Sequence, residues 1–326
     1  MHINFPGFFD LQVNGFAGVD FNDPRATHDD LRRALVALNA TGVTRLLPTL
    51  ITSSLENFSA CAQKLVGLGV PAIAGLHMEG PYIAAADGPR GAHPREHVRT
   101  ASVDDFRRRQ DAAGGRIVLV TLAPEVEGAL QLTEYLAAQK IIVAIGHTAA
   151  TPAQIRDAIS AGATLATHLG NGCALQLPRH PNFIWEQLAA DELTACFIVD
   201  DHHLPPATVK AMIRAKTPAR SLLVTDAIAA AGCPPGRYQL GGAAVELSAN
   251  GRVAAPGAGT LAGSSLTLPV AVANTASYTG LPLAEVLPLA TTQPAALLGL
   301  QPAGNITADW NATAHTLTIV TVDPTA

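Results

Sequence analysis

The sequence predicts a parallel α/β barrel of eight strands, and three observations carry the prediction. Short β-branched or apolar runs recur eight times between residues 7 and 225. Segments of helical spacing separate them, at steps of roughly 20–40 residues. No GxGxxG follows the first run, as it would in the open doubly wound sheet that is the alternative for this alternation. Eight is the strand count that closes a barrel.

The first strand is GFFDLQV at 7–13, and the helix after it is HDDLRRALVALNA at 28–40. That helix puts Leu31, Leu35 and Leu38 on one face, with Thr27 and Asp30 as its start signal. Strands follow at 43–51 (VTRLLPTLI) and 71–78 (PAIAGLHM). Ser102, ahead of Asp104 and Asp105, marks a helix start where carboxylates suit the dipole. The next strands are 116–122 (RIVLVTL) and 141–146 (IIVAIG). Thr151-Pro152-Ala153-Gln154 then combines an N-cap, a proline at the first helical position and Gln three residues after the cap. Strands six to eight are 164–168 (TLATH), 195–200 (ACFIVD) and 221–225 (SLLVT). Beyond them, YQLGGAAVELSANGRV predicts a hairpin turning at Asn250-Gly251. Residues 265–299 return to helix, with Pro294 placed to start the last one, and NATAHTLTIVTV alternates like a strand. The chain therefore divides into a barrel over 1–300 and a small β appendage over 301–326.

Composition narrows the function. The chain has 326 residues, and barrels of ~250 residues fold as single units. With 48% hydrophobic and 14% charged residues it has the make-up of a globular protein. It contains no run of about 18 apolar residues, and MHINFPGFFDLQVNG lacks the pattern of a signal peptide. A net charge of −5 offers no basic footprint. Neither a membrane nor a nucleic acid is an expected partner. Cys61, Cys173, Cys196 and Cys233 show no CxxC spacing, which fits reduced thiols in a cytoplasm.

Catalytic residues of a barrel gather where its strands end. His147 ends the fifth strand, His168 the sixth and Asp226 the eighth, while Glu79 follows the third and His203 the seventh. Taken singly, a strand-end His is more often a solvated residue and a strand-end Asp a helix cap. Five such residues on five different strand ends are hard to explain one by one. A hydrolytic metal site needs about three His or carboxylate ligands and a position for water. Glu79, His147 and His168 supply a His₂Glu set, Asp226 is an acid left over to take a proton from water, and His203 is free to meet the substrate.

GFFDLQVNG, HMEGPYI, RGAH, GHTAAT, ATHLGN, VDDHHLP, VTDAIAAAG and GTLAGSSLTL occur in the order of a known family. From about residue 6 to 300 the chain resembles the N-acetylglucosamine-6-phosphate deacetylases of the amidohydrolase superfamily. The resemblance implies a (β/α)8 barrel hydrolysing the acetamide of an N-acetylated amino sugar, here N-acetylglucosamine 6-phosphate. It implies metal ligands at Glu79, His147 and His168, Asp226 as the base that later protonates the leaving amine, and His203 on the carbonyl or sugar hydroxyls. Asn171, Gly172 and Arg179 occupy phosphate-holding positions, with Arg179 acting across a homodimer interface. Ala92 and the Leu261-Ala262-Gly263 turn border the sugar. Gln12 and Asn14 stand where many superfamily members carry His-x-His for a second metal, and amides are poorer ligands than imidazole. One divalent ion is therefore expected, zinc first, with iron, manganese or cobalt as alternatives. His77 and His93 are read as partners behind the ligands.

Three departures shape the expectations. The family's N-terminal sandwich strands are missing ahead of the first barrel strand. Its Asn-Ala-Met is Asn171-Gly172-Cys173, and its Asp-Gly is Asp200-Asp201, which adds negative charge near an anion site. Trp185 is a candidate for the sugar site, against the more common buried structural role. Two other functions stay open on these grounds: a deacylase for an unphosphorylated or differently modified N-acyl amino sugar, and a non-catalytic sugar-binding descendant. The acid-base residue Asp226 argues against the second.

Overall fold

The computed structural model describes residues 1–257 and 259–324. In chain order its strands begin with β1 (His2–Pro6), β2 (Phe8–Val13), the short ribbon β3 (Gly15–Phe16) and β4 (Val19–Asp20), and β5 (Val43–Ile51). There follow β6 (Leu76–Glu79), β7 (Ile117–Leu122), β8 (Ile142–Ile145), β9 (Leu165–Ala166), β10 (Thr194–Phe197) and β11 (Ser221–Leu223). A parallel sheet runs β2-β5-β6-β7-β8-β9-β10-β11. It closes between its ends: Val13 bridges Ala227 in parallel, Asp226 N–H donates to the Gln12 carbonyl at 2.9 Å and Asn14 N–H to the Ala227 carbonyl at 2.7 Å. The eight-stranded barrel expected from the sequence is the fold.

Because both faces of a closed parallel sheet are covered, its strands read as nearly unbroken apolar runs. All six residues of β2 are buried, and eight of the nine in β5. Helices form the outer layer, and their starts follow local chemistry. Thr27 and Asp30 make a reciprocal capping box on α1 (His28–Ala40), and Ser54 caps α2 (Leu55–Gly67). Ser102 caps α3 (Val103–Ala112); α4 (Ala129–Ala138) follows, and Thr151 and Gln154 form a second box on α5 (Pro152–Ser160). Such caps satisfy backbone N–H groups that the first helical turn leaves without partners.

Two strands are shorter than predicted. The third begins at Leu76 instead of residue 71, because its ladder with β7 starts only at Ile117; Ile73 makes a lone bridge to Leu46. The sixth is reduced to Leu165–Ala166, cut off by the backbone reversal at His168. Helices α6 (Phe183–Ala189) and α7 (Pro206–Lys216) follow β9 and β10.

The predicted hairpin is a three-stranded meander, β12 (Gly236–Leu240), β13 (Ala243–Leu247) and β14 (Val253–Ala254). Its first turn is at Gly241-Gly242, where φ is +55° and +87°, values open to glycine. Asn250-Gly251 makes the second turn. Leu240, Val245, Leu247 and Val253 pack on Ile51, Ile228 and Ala262 in a small apolar cluster of their own. That cluster pins the meander over the C-terminal mouth of the barrel.

The chain then runs through α8 (Leu268–Thr279), α9 (Leu283–Val286) and α10 (Thr292–Leu297). Pro294 is the third residue of α10, not its first. The strands β15 (Asn305–Asn311) and β16 (Thr316–Asp323) form an antiparallel sheet with β1. The N-terminus thus contributes a strand to the appendage, which the sequence reading had confined to one remnant strand after residue 300. Ile306, Ala308, Trp310 and Leu317 are its buried face. Thr325 and Ala326, the end of the predicted appendage, lie outside the described residues. Among the described residues no helix is long and apolar enough to cross a membrane.

Candidate metal centre and active site

Glu79 is the last residue of β6, while His147 and His168 stand two residues beyond β8 and β9. All three are buried, and they converge. Glu79 Oε1 lies 3.2 Å from His147 Nε2 and 3.1 Å from His168 Nε2, and the two Nε2 atoms are 3.1 Å apart. This near-equilateral triangle matches one face of a tetrahedron around an ion held at about 2.0–2.1 Å. The donor set, two imidazoles and a carboxylate, suits a divalent transition metal. Two imidazole nitrogens and one carboxylate oxygen so close together make a cluster that could hold one such ion.

The triangle is held from behind. His147 Nδ1 donates to the Pro89 carbonyl at 2.9 Å, which directs Nε2 inward. Gly172, with φ +56°, lies flat against the same ring; a Cβ there would fall 2.9 Å from His147 Nδ1. Gln12 Nε2 donates to Glu79 Oε1 at 2.9 Å. Burial by itself would raise the Glu79 carboxyl, but hydrogen bonds from His147 and His168 outweigh it and hold the group well below the usual range.

Asp226 shares the cavity, and Asn14 Nδ2 donates to its Oδ1 at 2.6 Å. Burial, followed by the Glu79 charge, pushes its carboxyl up to about 6. An acid so placed can hold a proton near neutrality. His147, His168 and Asp226 all have positive φ, +50°, +27° and +51°. Each strand therefore reverses sharply where it ends, turning these side chains into the mouth of the barrel.

The cavity measures about 690 Å³. His203 lines it, its Nδ1 2.7 Å from Asp200 Oδ2, while Asp200 Oδ1 accepts the backbone N–H groups of His202 and His203. Sequence reasoning counted Asp200 together with Asp201 as negative charge near an anion; the Asp200 carboxylate is instead taken up in orienting His203. His202 turns away, to the Asn250 carbonyl. Ala92, Asn171, Gly172, Leu261 and Gly263 line the cavity, and Ala262 lies behind the wall, 2% exposed.

His77 is not among the ligands. It lies beneath them, with Nε2 2.8 Å from Thr121 Oγ1 and Nδ1 3.3 Å from Thr49 Oγ1, and burial lowers its pKa to about 4. His93 lies beside the cluster, its ring centroid 4.2 Å from that of His147. Arg179 is exposed and does not reach the cavity of its own chain, and Trp185 is 55% exposed rather than buried. Sequence reasoning missed Asp87, Ile51, Ile198, Leu240 and Thr260, which also line the cavity. No motif singles them out; the barrel and the meander bring them there. Among the described lining residues there is no Lys or Arg, whereas Glu79, Asp87 and Asp226 are acidic.

The amidohydrolase family model matches residues 3–322. An N-acetylgalactosamine-6-phosphate deacetylase of Escherichia coli O157:H7 is 34% identical over 301 residues, covering 90% of this chain and 78% of its own. The human N-acetylglucosamine-6-phosphate deacetylase is 37% identical over 311 residues, covering 91% and 74%. The solved N-acetyl-D-glucosamine-6-phosphate deacetylase of Mycobacterium smegmatis superposes with a TM-score of 0.90 at 31% identity, over 98% of this chain and 86% of that one. The Thermotoga maritima enzyme gives 0.84 at 26% identity, over 97% and 86%.

Proposed function

Since this chain belongs to the amidohydrolase family, and within it to the N-acetylhexosamine-6-phosphate deacetylases, we propose that it hydrolyses the acetamide of an N-acetylated hexosamine 6-phosphate, with N-acetylglucosamine 6-phosphate as the first candidate. The products are acetate and the amino sugar phosphate. One observation carries the reading: the Glu79, His147 and His168 donor atoms form a metal-sized triangle in the same cavity as an acid held near neutrality.

A divalent ion bound by Glu79, His147 and His168, with zinc as the first choice, supplies the electrophile that polarises the amide oxygen and acidifies water. The residues do the rest. Asp226 accepts a proton from the attacking water and returns it to the leaving nitrogen, so the amine departs neutral. Asn14 keeps Asp226 Oδ1 occupied and leaves the other oxygen for that proton. His203, oriented by Asp200, meets the sugar. The one-ion reading is supported by Gln12 and Asn14, whose amide N–H groups already point at Glu79 and Asp226 and so present donors where a second ion would need lone pairs.

The phosphate needs a cation, and the described residues lining one chain's cavity include none. Arg179 of a second copy fits that need in a homodimer: it is exposed, and exposed Leu175 and Trp185 flank it in sequence as apolar surface for an interface. The second reading, an unphosphorylated N-acyl amino sugar, is favoured by the same lack of lining cations. Acetate release from N-acetyl hexosamines with and without 6-phosphate, with metal content measured alongside, separates the two. Equal rates on both would reject the phosphate part and leave the deacetylase. The free thiols support a cytoplasmic setting.

A further inference from the structure

His147 and His168 both stand in left-handed backbone, with φ +50° and +27°, and such residues persist only where their neighbours hold them. His168 closes its own reversal, since its carbonyl accepts the Asn171 backbone N–H at 3.0 Å. His147 depends on other segments. Its carbonyl accepts the Ala84 N–H at 3.0 Å, from the loop after β6, and the residues that follow it are tied to the end of β7.

Glu125, three residues beyond β7, makes that tie. Its Oε2 accepts the Thr148 hydroxyl at 2.5 Å, and its Oε1 accepts the Ala149 backbone N–H at 2.5 Å. Thr148 Oγ1 in turn accepts the Ala150 N–H at 2.9 Å. The three residues between His147 and the Thr151 cap are thus fixed through one carboxylate. Thr148 is 2% exposed, so the bond to its hydroxyl is shielded from water although Ala149 lies at the surface. Hydrogen bonds to an ionised acceptor are stronger than those to a neutral one, and two of them fix its direction. Glu125 is not among the described residues that line the cavity, so its part in the site is indirect.

The triangle is demanding of His147. Its Nε2 has to sit 3.2 Å from Glu79 Oε1 and 3.1 Å from His168 Nε2 together, and a turn loosened at 148–149 would let the backbone of His147 relax and carry the ring away. We propose that Glu125 is a positioning residue for the metal centre: by clamping Thr148 and Ala149 it holds His147 in the conformation that aims Nε2 at the ion. The inference rests on the reading of Glu79, His147 and His168 as that centre.

The test measures zinc affinity by competition with a chromophoric chelator, starting from the zinc-loaded protein, alongside urea unfolding of the metal-free form. Glu125→Ala should weaken zinc binding about 10–100-fold. Acetate release lost at limiting zinc should return as zinc is raised. Glu125→Gln keeps an oxygen for the Ala149 N–H and offers Thr148 Oγ1 a donor, so it should bind zinc more tightly than Glu125→Ala. Thr148→Val cuts the same clamp, and the Glu125→Ala/Thr148→Val double variant should lose little more than Glu125→Ala alone. The proposal fails if Glu125→Ala binds zinc as wild type does, if Glu125→Gln is no better than Glu125→Ala, or if the two single losses multiply. It fails also if the loss of affinity is no larger than the drop in unfolding stability explains. Wild type that bound zinc no more tightly than His147→Ala/His168→Ala would remove the metal centre itself, and this inference with it.

Discussion

His147, His168 and Asp226 share left-handed backbone at the points where their strands end, and each such residue costs on the order of 1–3 kcal/mol unless its surroundings hold it. The hydrogen bonds from His147 to Pro89 and from Asn14 to Asp226 are part of that hold. Replacing Asp226 by Asn keeps the shape and the strain but removes the proton acceptor. Acetate release should then fall by about 10²–10⁴-fold while one metal per chain is retained. A variant with wild-type turnover would make Asp226 a strand-end cap and move the base elsewhere. The ligand reading is checked by the His147→Ala/His168→Ala double variant, which leaves a lone carboxylate and should lose the ion on dialysis. Metal that stayed bound would place the site elsewhere. At this scale the residue types were legible, since imidazoles and carboxylates at five strand ends have a common chemistry. The role of Asp200 was not, because a hydrogen bond from His203 to Asp200 depends on the loop's turn and not on the order of letters.

Helix starts are the most local of the elements, and Thr27, Ser102 and Thr151 each cap the helix predicted for them. The Thr151 box lies on the outer layer, so Thr151→Ala should lower stability by about 1 kcal/mol in urea unfolding with the slope unchanged, and leave kcat as it was. A loss of activity without a loss of stability would mean that α5 matters to the site in some other way. Strand ends were less legible. Residues 71–75 have strand composition, but β7 is not yet alongside them, so a ladder partner is lacking on one side. The Gly241-Gly242 turn went unread beside the stronger Asn-Gly signal nine residues on, although both turns are needed to fold the meander back over the barrel mouth.

Closure of the barrel joins β2 to β11, and Asp10 sits in that seam, fully buried, accepting from Thr225 Oγ1 at 2.6 Å and from the backbone N–H groups of Gln12 and Thr225 at 3.2 Å. Burial pushes its carboxyl up to about 7 from an ordinary 3.8. Between these values the unfolded chain releases the proton and the native chain keeps it, so this group's contribution to stability is present in full below about 4 and is lost as pH rises to about 7. In chelator, wild type minus Asp10→Asn should therefore fall across that window by an amount on the order of 4 kcal/mol. A flat difference would mean that Asp10 ionises at its ordinary pH in the fold. At the largest scale, Arg179→Ala should abolish the preference for the 6-phosphorylated sugar, a charge-assisted contact of roughly 1.5–3 kcal/mol or about 10–160-fold. Free sugar cleaved as well as phosphorylated sugar by wild type would overturn this. By itself the sequence determined the barrel, through eight apolar runs at helical intervals, and the family, through motifs in a set order. It also singled out Glu79, His147 and His168, because metal chemistry restricts which side chains can serve, and these three meet in a cluster that could hold an ion. Only the tertiary structure decided that β1 completes the appendage, that Arg179 lies outside its own cavity, and that Asp200 orients the His203 ring. Those outcomes depend on which distant segments meet and which way a ring turns, and spacing along a chain carries neither.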